Sequence, residues 1–68
     1  MKELSTYLGS DEYSDRIAKV LWDAEGQRFY VDMKMEGLTE LRGMESHSES
    51  YAEDCAENFV MGYGEFSQ

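Results

Sequence analysis

Proline is absent, cysteine occurs once, and positive charge stops at Arg42 in a chain of 68 residues. So short a chain allows one small domain and excludes most enzyme architectures. One cysteine cannot close an internal disulfide or build a four-ligand zinc site, so two usual staples of a small fold are missing. A reducing compartment is the simpler expectation. Apolar runs reach only two or three residues, as in Val20-Leu21-Trp22 and Phe59-Val60-Met61, far short of a bilayer span. Met1-Lys2-Glu3-Leu4-Ser5 lacks the apolar centre of a signal peptide. The expectation is a soluble, cytoplasmic protein.

Large aliphatic residues are also scarce: Leu, Ile, Val and Phe sum to 12 of 68. With a formal net charge of −9, that composition borders on intrinsic disorder. Five Tyr, five Met and one Trp restore the apolar area a core needs. A domain of this size buries only about 60% of its unfolded surface, so self-association is a natural source of added stability. Six basic residues against fifteen acidic ones repel phosphates and anionic lipid, which excludes direct binding to nucleic acid or membrane. Basic partners or cations are favoured instead.

The chain reads as a single α+β domain: an N-terminal strand or loose segment over 1–15, an antiparallel meander over 16–44, a helix over 48–61 and a tail over 62–68. Apolar residues alternate on both sides of Glu25-Gly26. Pairing the arms about that turn sets Trp22 opposite Phe29, Val20 opposite Val31 and Ala18 opposite Met33, while Lys19 meets Asp32 and Asp23 meets Arg28. A slip of one residue would oppose Ala18 to Asp32, so side-chain chemistry selects the register. A second reversal at Glu36-Gly37-Leu38, with Met35 paired to Thr39, sets Met33 beside Leu41, Lys34 beside Glu40 and Asp32 beside Arg42. The expected apolar face is Ala18, Val20, Trp22, Phe29, Val31, Met33, Met35 and Leu41, backed by a Lys19-Asp32-Arg42 ladder. Residues 3–8 would add a fourth strand, with Leu4, Tyr7 or Leu8 covering Ile17 and Leu21. Ser10–Gly26 also has a helical reading, with Tyr13, Ile17, Val20, Leu21 and Ala24 on one stripe.

The last element is a helix capped at Ser48 or Ser50, with Ser50-x-x-Glu53 as a capping box and Gly62 as the stop. Tyr51, Ala52, Cys55, Ala56, Phe59 and Val60 would face the sheet, and Tyr63 and Phe66 would fold over an open edge. The stretches Ala18-Lys19-Val20-Leu21-Trp22-Asp23, Gln27-Arg28-Phe29-Tyr30-Val31 and Ala52-Glu53-Asp54-Cys55-Ala56-Glu57-Asn58-Phe59-Val60 are similar to short proteins encoded by marine cyanobacterial phages. That group runs strand-turn-strand-strand and ends in an Ala-rich helix. The resemblance implies the βββα fold and a bacterial host's cytoplasm as the setting; it carries over no site residue.

Three features invite a functional reading. Glu49, Glu53 and Glu57 repeat every four residues on one helix face, and Gly43–Gln68 holds six acids and no Lys or Arg. Like charges at i, i+4 cost a helix a few tenths of a kcal/mol per pair. The bland reading is a solubilising surface; the sharper one is that Glu49, Glu53, Asp54 and Glu57 dock a basic protein surface, their carboxylates spaced about 6 Å apart like a row of phosphates. Ile17, Leu21 and Tyr30 fall on the outer sheet face and suit a homodimer contact. The alternative function is a homo-oligomeric structural protein. Catalysis is not expected. Asp11, Glu12 and Asp15 lack the spacing of a cation loop, His47 reads as an exposed linker residue, and Cys55 lies on the stripe facing the sheet, where a thiol is ordinarily inert. Gly62-Tyr63-Gly64 is no phosphate loop. No metal or cofactor is expected.

Overall fold

A computed structural model describes residues 1–63. Its elements are β1 (Lys2–Leu8), a 3-10 turn (Asp11–Tyr13), β2 (Ile17–Asp23), β3 (Arg28–Met35), β4 (Leu38–Met44) and α1 (Glu49–Val60). The strands form one antiparallel sheet in the order β1-β2-β3-β4, and α1 packs across β2, β3 and β1 on one side. This is an α+β meander with a C-terminal helix. The helical reading of Ser10–Gly26 does not hold, because Ile17–Asp23 is a central strand whose alternation buries Ala18 and Val20 completely.

The β2–β3 register is the one that side-chain chemistry selects: Trp22 pairs with Phe29, Val20 with Val31, Ala18 with Met33, Lys19 with Asp32 and Asp23 with Arg28. Trp22 and Phe29 also make a tilted ring contact at 4.6 Å. In the connecting loop the Asp23 carboxylate accepts the Glu25 amide, and Gln27 is left-handed, at φ 53°.

The β3–β4 register differs from expectation by one residue. Met35 pairs with Leu38, Met33 with Glu40, Asp32 with Leu41 and Val31 with Arg42. The reversal uses only Glu36 and Gly37, with Gly37 at φ 74°; a one-residue change in loop length flips every side chain of the following strand. Leu41 therefore leaves the apolar face and is half exposed, while Met44 enters the core. The Lys19-Asp32-Arg42 ladder does not form. Arg42 lies on the helix side of the sheet, joined to Glu40 at 2.9 Å. That pair is tolerated there because α1 sits over β1–β3 and reaches β4 little, so both groups keep access to water.

The fourth strand forms, with a bulge between Glu3 and Ser5. An extra residue shifts the alternation, so Leu4 and Tyr7 pack against the core on the helix side. Of the three residues expected to cover Ile17 and Leu21, only Leu8 stands on that face, beside Ile17.

The core consists of Ala18, Val20, Val31, Met33 and Met44 from the sheet and Ala52, Ala56, Phe59 and Val60 from the helix. Alanines at 52 and 56 let α1 approach closely enough for Phe59, fully buried, to fill the space between layers. Tyr51 does not join this contact; it is half exposed and stacks on His47 at 3.8 Å. Ser48 is the N-cap, its side chain accepting the Tyr51 amide, so the Ser50–Glu53 capping box is not made. At the other end Gly62 donates to the Phe59 carbonyl and Tyr63 to the Asn58 carbonyl. These two bonds, with Gly62 at φ 89°, make a Schellman stop. The helix has no basic residue in its last turn. Arg16 supplies the missing cation from the β1–β2 connection, donating to the Phe59 carbonyl at 2.8 Å with its guanidinium about 5 Å from both the Tyr13 and Phe59 rings. A cation there offsets the negative end of the helix dipole. Tyr63 is three-quarters exposed, and Phe66 lies outside the described residues.

Candidate functional site

The helix carboxylates divide into two kinds. Glu49, Asp54 and Glu57 are exposed. Glu53 is half-buried and turned onto β1, where it accepts Ser5 Oγ at 2.7 Å through Oε2 and the Tyr7 hydroxyl through Oε1. The bulge that brings Ser5 and Tyr7 to the helix side creates this contact. Alternation alone gives no sign of it, and it was missed in the sequence for that reason. The Tyr7 phenol is pushed up to about 12 from 10.0, first by its hydrogen bond to Glu53, then by burial and by the charges of Glu53, Glu57 and Asp54. The acidic surface thus raises a negative field that reaches the neighbouring strand. From Gly43 to Tyr63 there are five acids and no Lys or Arg.

The second candidate surface is the side of the sheet opposite α1. Among the described residues no element covers it. Ile17, Leu21 and Tyr30 all lie there, as expected, and each is half-buried by its strand neighbours. Leu8, 70% exposed, and Leu41, 50% exposed, extend the apolar patch to both edge strands. The Tyr30 ring lies beside Gly43, 3.5 Å from where a Cβ would stand.

One shallow open cleft of ≈ 250 Å³ lies between Leu8–Tyr13 and Val60–Met61, and another of ≈ 330 Å³ beside Met1, Lys2 and Trp22–Glu25. The first holds the Ser10 hydroxyl with the Asp11 and Glu12 carboxylates, the second Lys2 with Asp23 and Glu25. Asp11 and Glu12 line the first cleft, but Asp15 is turned to the β3–β4 turn, where it accepts the Glu36 amide. Among the described residues no group of three His, Cys, Asp or Glu side chains can hold a metal. His47 is engaged in its stack with Tyr51, and the half-buried Cys55 packs against the core next to Arg42, whose guanidinium is held above its usual value chiefly by the hydrogen bond to Glu40. Gly62 is committed to ending the helix. Among the described residues no helix is long and apolar enough to cross a membrane.

Comparison with known proteins leaves the argument on these surfaces: no family model matches the chain, and neither the curated proteins nor the solved structures contain a significant match.

Proposed function

We propose that this chain is a small non-catalytic interaction protein that docks a basic protein surface through its acidic helix, with the accessory role in a phage-infected bacterium that the sequence resemblance implies. Glu49, Asp54 and Glu57 make the direct contacts; Glu53 contributes its charge while its oxygens hold β1. What carries the reading is the one-signed charge of the segment from Gly43 to Tyr63, five carboxylates without a cation, four of them on α1, where Glu49 in the first turn and Glu53 through its bonds to Ser5 and Tyr7 support the helix while Asp54 and Glu57 stand exposed. A helix selected for stability alone would place Lys near its C-terminus.

Binding of this kind is long-ranged and screened by salt. With an oligolysine peptide as probe, affinity should fall at least about ten-fold between 50 and 300 mM salt, because the Debye length shrinks to several ångströms. The triple variant Glu49→Gln, Asp54→Asn, Glu57→Gln should bind more weakly than wild type at low salt and keep its fold. Binding indifferent to both salt and the triple change refutes the proposal.

A further inference from the structure

The uncovered sheet face differs from the rest of the molecule in charge as well as in apolarity. Its strand positions carry Glu3, Asp23 and Asp32 against Lys19, Arg28 and Lys34, which sum to zero in a chain of net charge −9. Half of the chain's six cations are therefore gathered on one side. They alternate with the acids along and across the strands: Lys19 faces Asp32, Asp23 faces Arg28, and Lys19 reaches Glu3 at 3.5 Å. Glu45, just beyond β4, meets Arg28 from the rim at 2.6 Å. Between these charges run Leu8, Ile17, Leu21, Tyr30 and Leu41.

We infer that this face is the contact between two copies of the chain, packed sheet on sheet about a twofold axis. The charge distribution decides the occupant. A basic partner is drawn to the acidic helix and gains nothing from a neutral face. A second copy of the same chain carries the same acidic helix and is repelled there, whereas the strand charges of this face sum to zero. An isologous pairing requires a surface complementary to itself, and the Lys19–Asp32 row, flanked by Leu8 and Ile17 on one side and by Leu21 and Tyr30 on the other, meets that requirement when one sheet is turned on the other. Gly43, with no side chain, leaves room beside the Tyr30 ring, and two sheets packed face to face approach to about 10 Å.

Size sets the strength of the pairing. Four strands about 4.8 Å apart, each seven residues or so long at about 3.3 Å per residue, give a face of roughly 450 Å². Two such faces bury on the order of 900 Å², below the range of stable interfaces and within that of transient ones. The dimer is accordingly weak and reversible.

Sedimentation equilibrium of the full chain, from about ten micromolar to a millimolar, tests the inference. A monomer–dimer equilibrium is expected, and it should tighten about ten-fold or more from 20 to 300 mM salt, as repulsion between the two −9 copies is screened. That sign is opposite to the one expected for a basic partner, so failure of either reading leaves the other standing. Tyr30→Lys should abolish the dimer, with folding checked by circular dichroism. Should that variant unfold, the double change Leu8→Lys, Leu41→Lys replaces side chains that are already at least half exposed and should also abolish it. Leu38→Lys, on the helix side of the same edge strand as Leu41, should leave it intact. A chain that stays monomeric at a millimolar in high salt overturns the inference, as does a dimer lost in Leu38→Lys but retained in the face variants.

Discussion

Replacing Tyr7 with Phe isolates the contact that fastens α1 to β1. The ring packs against the core, and its hydroxyl donates to Glu53 Oε1, so Tyr7→Phe keeps the packing and removes one hydrogen bond to a charged acceptor. Such bonds contribute about 1.5–3 kcal/mol net; at a half-buried site screened by solvent the expected loss is about 1–2 kcal/mol. In a domain of this length each kcal/mol moves Tm by roughly 4–8 °C, so urea and thermal unfolding both resolve it. The pH dependence gives a second readout. The phenol is raised from 10.0 to about 12 in the folded state, so the fold holds this proton more tightly than the unfolded chain does. Its contribution is complete below pH 10 and is lost as pH climbs from 10 to 12. Across that window the wild type should lose about 1–2 kcal/mol more stability than Tyr7→Phe, a difference in which the other tyrosines and the lysines cancel. A variant as stable as wild type at pH 7, or two parallel curves from pH 10 to 12, refutes the contact.

Gly62→Ala and Gly37→Ala separate backbone strain from crowding. Both glycines have positive φ, but a Cβ at Gly62 would stand 2.3 Å from the Tyr13 ring, while at Gly37 nothing lies within 4 Å. Gly37→Ala should cost about 1–2 kcal/mol and Gly62→Ala distinctly more, about 2–4 kcal/mol; equal losses in urea unfolding would show that Tyr13 yields freely. Phe59→Ala empties the centre of the core and should cost about 3–5 kcal/mol, comparable to the roughly 3–10 kcal/mol total of a domain this size. Circular dichroism should find it largely unfolded at 25 °C, and a cooperative melt near wild type would show that the core collapses around the gap.

The parts of the fold legible in the sequence are those where two independent signals agree. In β2 and β3 the apolar alternation and the opposite-charge pairs demand the same register, and that register forms. In β4 they do not constrain it. Leu38, Glu40, Arg42 and Met44 on one parity, and Thr39, Leu41 and Gly43 on the other, both mix apolar with polar side chains, so the length of the turn at Gly37 decided the pairing. The bulge in β1 is invisible for a related reason: one unpaired residue, Leu4, reverses which of its neighbours face the helix. The acidic helix face was legible as a pattern, but the attachment of Glu53 to Ser5 and Tyr7 depends on that bulge. Arg16 carried no local signal, since its partner is a carbonyl 43 residues away. Ile17, Leu21 and Tyr30 were legible as outer-face positions because they follow directly from the β2–β3 pairing.

The docking of Arg16 at the end of α1 bears on the order in which the chain assembles. A twelve-residue helix with like charges four apart holds little structure by itself in water. Its anchoring partners, Ser5, Tyr7 and Arg16, lie 43 to 48 positions upstream. The strands, joined by short reversals, close small loops first; the helix must wait for the largest loop to close, with its greater loss of chain entropy. Without the helix the meander would show grease on both sides, and it is the helix that makes its two sides different.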